Sequence, residues 1–269
     1  MELPTTFFGW IEFIWEEYAP LFLKGTVNTL ILAIAGTVIG FVLGLLVAVL
    51  RTIPISKKDH LLKKIVVRIV NCIISIYIEV FRGTPMIVQA MVIYYGAMQL
   101  LAVDIPAMGA AIFIISLNTG AYMAEIMRGG ILAIDKGQKE AAEAIGMTHW
   151  QTMTSVILPQ AIRNALPSIG NEFIVNIKDS SVLNVISVSE LFFQGKSASG
   201  TYLRYYETFF IIAVIYLALT FVFSRLLRLL EKKLDGPDSY VVHGSQAHQR
   251  AIRIPKEVEQ CANGKKSLR

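Results

Sequence analysis

Asn118, Tyr122 and Glu125 recur at i, i+4 and i+7 inside an otherwise apolar stretch. Further along, Ser168, Glu172, Asn176 and Asp179 follow near-helical spacing, with Asn171 and Lys178 beside them. Each set lies along one face of a helix. Amides and hydroxyls at such positions hydrogen-bond a polar solute, and the Glu172 carboxylate attracts a cationic group. This is binding chemistry. The sequence has no His-Glu-x-x-His and no Gly-x-Ser-x-Gly, and His60, His149, His243 and His248 fall outside the apolar runs. Cys72 and Cys261 stand far apart without metal-ligand spacing. Two structural readings stay open: Arg128, one turn beyond Glu125, is its natural ion-pair partner, and the second stripe could serve to fix helix register by hydrogen bonds.

The elements that carry these residues are membrane helices. Of 269 residues 54% are hydrophobic and 17% charged, and the apolar residues gather in runs longer than a soluble core uses. Residues 1–24, with Glu2, Glu12, Glu16 and Glu17, lack the basic start of a cleavable leader and read as an extracytoplasmic segment. A first span follows over Thr26–Leu50, in which Gly36, Gly40 and Gly44 leave one helix face bare for close approach of another backbone, unless they merely reflect the glycine enrichment of membrane helices. Ile65–Phe81 is apolar but broken by Arg68, Asn71 and Glu79, so it reads as a helix lying at the interface. "RGTP" at 82–85 makes a turn with Thr84 as cap and Pro85 at the first helical position. Further spans are expected over Met86–Leu101, Ala107 to about Ile131, about Ala161–Val188, and Tyr205–Leu230.

Lys and Arg mark the cytoplasmic ends. They cluster after the first span, around the segment Glu140–Pro159, and after the last span, whereas the start of the chain, the Asp104 loop and the Ser189–Arg204 loop are acidic or poor in basic residues. Five spans with the N-terminus outside and the C-terminus in the cytoplasm satisfy this pattern. The formal charge of +5 therefore serves orientation, and no nucleic-acid partner is expected. Residues 235–269 are polar without apolar periodicity and read as a disordered cytoplasmic tail.

Between the third and fourth spans stands "EAAEAIGMTHWQTMTSVILP" (Glu140–Pro159). Glu140, Ala141, Ala142, Glu143 and Ala144 favour helix, Gly146 permits a left-handed end, and Thr148 can cap a second short helix carrying Trp150, Met153, Val156 and Ile157. Pro159 marks re-entry into the membrane. The result is an elbow over about residues 138–159 whose alanines keep one surface low. It could receive a partner protein or rest as an amphipathic hairpin on lipid headgroups.

Glu140, Ala141, Ala142, Gly146, Val156, Leu158 and Pro159 match the EAA signature of ATP-binding-cassette importer permeases. "YIEVFRGTPMIVQ" (Tyr77–Gln89), "NTGAYMAEIMRGGILAIDKGQKEAAEAIGM" (Asn118–Met147) and "LPSIGNEFIVNIKDSSVL" (Leu166–Leu183) resemble the polar amino-acid branch of that family, of the histidine, glutamine and arginine type. The resemblance covers about Lys24–Leu234 and leaves out the tail. It implies an all-α polytopic fold of the type I importer kind, with a transmembrane domain over residues 25–234, in the cytoplasmic (inner) membrane. It implies that the elbow, through Glu140, Ala141, Ala142, Gly146, Leu158 and Pro159, couples to a separate ATP-binding subunit, which binds ATP and Mg, so this chain itself needs no cofactor. A second permease subunit and an extracytoplasmic amino-acid-binding protein are the other implied partners. On that reading Asn118, Tyr122, Ser168, Asn171, Glu172 and Asn176 line the substrate path, and Glu172 favours polar or cationic amino acids. The rivals are an ion-coupled secondary transporter, which should show an internal repeat that is not seen here, and an intramembrane enzyme, for which no motif is found.

Overall fold

The computed structural model describes residues 3–55 and 60–234; Lys57, Lys58 and the tail 235–269 lie outside the described residues. Among them every regular element is helical: α1 (Phe7–Leu50), α2 (Leu61–Gly83), α3 (Met86–Leu101), α4 (Ala107–Leu132), α5 (Lys136–Ala144), α6 (His149–Thr152), α7 (Leu158–Asp179), α8 (Leu191–Tyr202) and α9 (Tyr205–Leu234). Three of them, α1, α4 and α9, are long and apolar enough to cross a membrane.

The first helix starts well before the expected Thr26. Thr6 caps it by accepting from the Gly9 N–H at 3.2 Å, and α1 then runs 44 residues, roughly 66 Å, about twice a hydrocarbon core. Its early turns are held by packing that hydropathy does not reveal. Trp10, Ile14 and Phe22 are buried in a cluster with Leu191, Ala198, Ile211 and Ile212, while Glu12, Glu16 and Glu17 form the exposed face.

Parallel packing of α1 on α4 makes the centre of the fold. A Cβ on Gly36 would lie 2.9 Å from Ile115, one on Gly40 would lie 2.8 Å from Thr119, and one on Gly44 would run into Met123 and lie 2.7 Å from the Ala124 nitrogen. Every fourth residue of α1 is thus a hole for every fourth residue of α4, and both helices advance in the same direction.

α2 packs against α4. Ile74 and Ile78 are buried with Ala124, and the Tyr77 hydroxyl donates to the Leu117 carbonyl at 2.7 Å. α3 continues the same course, burying Ala90 beside Ala110, Ala111 and Ile114. Together α2 and α3 run antiparallel along the length of α4, with a break at residues 84–85. The break falls beside the middle of α4, where Asn118 donates to the Phe81 carbonyl at 3.3 Å. The polar residues that weaken the apolar pattern of α2 lie mostly on its exposed side, which is why its burial is not legible in hydropathy.

α7 runs antiparallel to α1 and α4: its early Ala161 and Ala165 pack with Ala48 and Met127, and its later Asn176 reaches Thr37 and Thr119. α9 returns against α7, with Leu227 next to Gly170 and Phe223 edge-on to Phe173 at 5.2 Å. α8 wedges between α1 and α9. Glu190, fully buried, caps it by accepting from the Phe192 and Phe193 N–H groups at 2.8 and 2.7 Å and from the Tyr216 hydroxyl at 2.9 Å.

Candidate functional site

The elbow is built by caps. Asp135 accepts from the Gly137 N–H at 2.7 Å and starts α5. At the other end the Met147 N–H reaches the Ala142 carbonyl and the Gly146 N–H reaches that of Glu143, which closes a Schellman turn. Gly146 sits at φ +84°, the left-handed conformation such a turn requires, with open space around its α-carbon. Thr148 then opens α6 in a capping box with Gln151. Ala142 is buried in the elbow, whereas Glu140, Ala141 and Ala144 are exposed, together with Ile145 at 79% and Trp150 at 64%.

Leu158 and Pro159 open α7: a π turn over Met153–Ile157 joins α6 to α7, with the Leu158 N–H reaching Met153, so the helical path continues from His149 into α7. Proline at this point supplies no N–H, and the widened turn absorbs the missing bond.

On α4, Asn118 donates to the Gln89 side chain at 2.9 Å as well as to Phe81, and Gln89 in turn donates to the Phe81 and Thr84 carbonyls, both at 2.9 Å. These two amides satisfy the carbonyls freed at the α2–α3 break. Tyr122 lies under the Arg82 guanidinium, 5.5 Å from its ring centre. Glu125 is held at both oxygens, by Arg51 at 3.1 Å and by Arg128 at 2.7 Å, and Arg51 also donates to Ser75 at 3.3 Å. The Glu125–Arg128 pair is thus part of a tie between the end of α1, α2 and α4.

α7 divides the second stripe. Asn176 faces inward and is 4% exposed: its amide donates to Thr37 at 2.9 Å and its carbonyl oxygen accepts from Thr119 at 3.0 Å. It ties three helices together and does not line an open path, because the position that gives helical spacing with Glu172 also points between α1 and α4. Ser168, Asn171, Lys178 and Asp179 are exposed, and Glu172 is half-buried with no hydrogen bond or ion pair among the described residues. Arg82 and Asp179 are the charged side chains within electrostatic reach of Glu172.

The sequence pattern of the family described as "binding-protein-dependent transport system inner membrane component" matches residues 64–236. The chain belongs to that family. As such a component it is a transport protein with several helices in the cell (inner) membrane. It is 40% identical to the glutamine transport system permease protein GlnP of Escherichia coli (strain K12), over 84% of this chain and 98% of that one. It is 36% identical to the arginine transport system permease protein ArtQ of Bacillus subtilis (strain 168), over 81% and 94%. Among solved structures it resembles an amino acid ABC transporter crystallised with histidines, at 42% identity and a TM-score of 0.70, over 81% of this chain and 95% of that one. The MetNI methionine transporter, at 21% identity and a TM-score of 0.66, shares the fold.

Several residues of this permease escaped the sequence reading. Arg51 looks like one of many basic residues that end a span, and Gln89 like a chance polar residue near a helix start. Glu79 and Arg82 had one available signal: they stand three apart in an apolar stretch, on one helix face.

Proposed function

We propose that this permease forms half of the translocation path of an ATP-driven amino-acid importer. Five crossings fit the alternating helix directions: α1 inward, α2 and α3 in series outward, α4 inward, α7 outward and α9 inward, with the N-terminus outside and the elbow in the cytoplasm. A second permease, identical or related, pairs across the exposed polar face of α7, which would be costly to leave against lipid. An extracytoplasmic binding protein delivers the substrate, and a separate subunit binds and hydrolyses ATP with Mg. ATP binding draws the elbows together and opens the path outward; hydrolysis returns it inward. Glutamine and arginine relatives and the uncommitted Glu172 carboxylate support a polar or cationic amino acid as substrate. An ion-coupled secondary transporter gains nothing from relatives that belong to binding-protein-dependent systems.

The observation that carries this reading is the elbow: a capped turn on which Ala141, Ile145 and Trp150 are exposed among the described residues. Its test is Gly146→Val. The space around Gly146 is open, so the substitution strains the left-handed turn alone, by about 1–2 kcal/mol. The expected result is a membrane complex that still assembles with a co-purifying ATPase, while substrate-stimulated ATP hydrolysis and uptake fall. Normal uptake by Gly146→Val would refute the coupling role of the turn.

A further inference from the structure

A second cavity, of about 220 Å³, lies within the elbow, between the end of α4, the start of α5 and the turns of α6 and the π segment that lead into α7. Its floor is apolar, formed by Met153 and Ile157, and its rim carries Lys136, Lys139 and His149. Thr152 lies on the floor at 2% exposed, and its hydroxyl has no hydrogen-bond partner among the described residues. Native structures rarely leave a buried hydroxyl unmet. The Lys136 ammonium and the His149 ring likewise make no hydrogen bond or ion pair among the described residues, and Lys139 has only a long contact of 3.8 Å with Glu143. Asp135, the carboxylate of the lining, is committed to the Gly137 N–H that opens α5.

Two ammonium groups, an imidazole and a hydroxyl around one committed carboxylate suit an anion. The volume falls short of the roughly 300–1,000 Å³ that encloses a whole small molecule, so what enters is one part of a larger ligand. Leu132, 69% exposed, stands on the same rim at the end of α4, and the rest of that ligand therefore meets apolar surface. We propose that the cavity receives the phosphate headgroup of an anionic phospholipid of the cytoplasmic leaflet. Lys136, Lys139 and His149 donate to phosphate oxygens, the Thr152 hydroxyl meets an oxygen at the floor, and the acyl chains run outside past Leu132. The inference rests on the reading that puts the elbow in the cytoplasm, where the end of α4 meets headgroups of negative charge. Ala141, Ile145 and Trp150 do not line the cavity, so the surface offered to a protein partner and the lipid site are separate. A lipid held there ties the start of α5 to the end of α4 and to the π turn, and by stiffening the elbow it regulates coupling.

The test uses the permease purified with its co-purifying ATPase, in nanodiscs of phosphatidylcholine alone or mixed with phosphatidylglycerol. Lipid kept through detergent washing is read by native mass spectrometry, and ATP hydrolysis stimulated by glutamine or arginine is read in both kinds of disc. The wild type should keep phosphatidylglycerol on each permease and hydrolyse ATP several-fold faster in the mixed discs. Lys136→Gln with Lys139→Gln should cut retention about tenfold and abolish the difference between discs, whereas Lys232→Gln with Lys233→Gln, which removes the same charge at the end of α9, should change neither. Thr152→Val keeps the shape, removes the hydroxyl, and should lower retention about threefold. Equal loss in the two lysine pairs would reduce the effect to general attraction and overturn the proposal, as would retention unchanged in both cavity variants. Soluble glycerol phosphate that stimulates phosphatidylcholine discs as strongly as the lipid does would assign the cavity to a free phosphate ester instead. A wild-type complex that keeps no phosphatidylglycerol would leave the cavity to a protein partner and overturn it too. If the wild type imports either amino acid while the cavity variants match its retention, this site fails and the importer reading stands; if lipid is held at the cavity but neither amino acid moves, the importer reading fails and the site stands.

Discussion

Two glutamates of this permease show what separates its scaffold from its working surface. Glu190 is fully buried at the start of α8, and its oxygens accept from two backbone N–H groups and a tyrosine hydroxyl. Glu172, on α7, is half-buried and accepts from no group among the described residues. The first carboxylate is consumed by the fold: it caps a helix and fastens α9 to it. The second stays available, beside a run of exposed polar residues on a helix that is otherwise packed on α1, α4 and α9. On the proposed reading of the α7 face as path lining, burial of charge alone does not locate function; whether the buried charge has been satisfied does.

That contrast can be broken or sharpened by mutation. The largest effect is expected in the scaffold. Gly40→Leu places a branched side chain where Thr119 already sits 2.8 Å from the Cβ position, and should destabilise the α1–α4 pair by roughly 3 kcal/mol or more. Thermal unfolding in detergent checks this, and an unchanged transition would remove the seam from the scaffold. Glu190→Ala comes next. It strands the Tyr216 hydroxyl and the first N–H groups of α8, a loss of about 2–3 kcal/mol readable by the same melt. Asn176→Ala removes the bonds to Thr37 and Thr119 and should lower stability by about 1–2 kcal/mol without altering substrate preference, which would confirm its move from path to scaffold. Glu172→Gln should leave the melt within about 0.5 kcal/mol of wild type, because no bond is lost. Its effect belongs in uptake: a selective loss for basic over neutral and acidic amino acids. Equal loss for all would return Glu172 to the scaffold.

Much of this was legible along the chain, for reasons that differ by element. Gly36, Gly40 and Gly44 mark one helix face by spacing alone, whichever helix fills it. Gly146 and Thr148 could be read because end caps depend on their own residues and near neighbours. The start of α1 at Phe7 could not be read, since Trp10, Ile14 and Phe22 need partners on α8 and α9 that lie far away in sequence. The course of α2 along α4 was hidden by Arg68, Asn71 and Glu79, which lower its apolar score while Ile74 and Ile78 still face inward. Helical spacing placed Asn176 near Glu172 but could not say which side of α7 the neighbouring helices occupy. The π turn left no signal, because it is a compromise between Pro159 and a helix that packing keeps continuous.

The knob-and-hole seam of α1 and α4 also limits how the molecule can move. Ile115, Thr119 and Met123 seat one turn apart in successive vacancies left by Gly36, Gly40 and Gly44, so sliding one helix along the other by less than a full step, about 6 Å, drives three side chains into backbone at once. The pair therefore behaves as a keel. Any change of shape has to be taken up around it, by α2 and α3 on one flank and by α7 and α9 on the other, and the hinges of this permease should be sought where those flanks meet the keel.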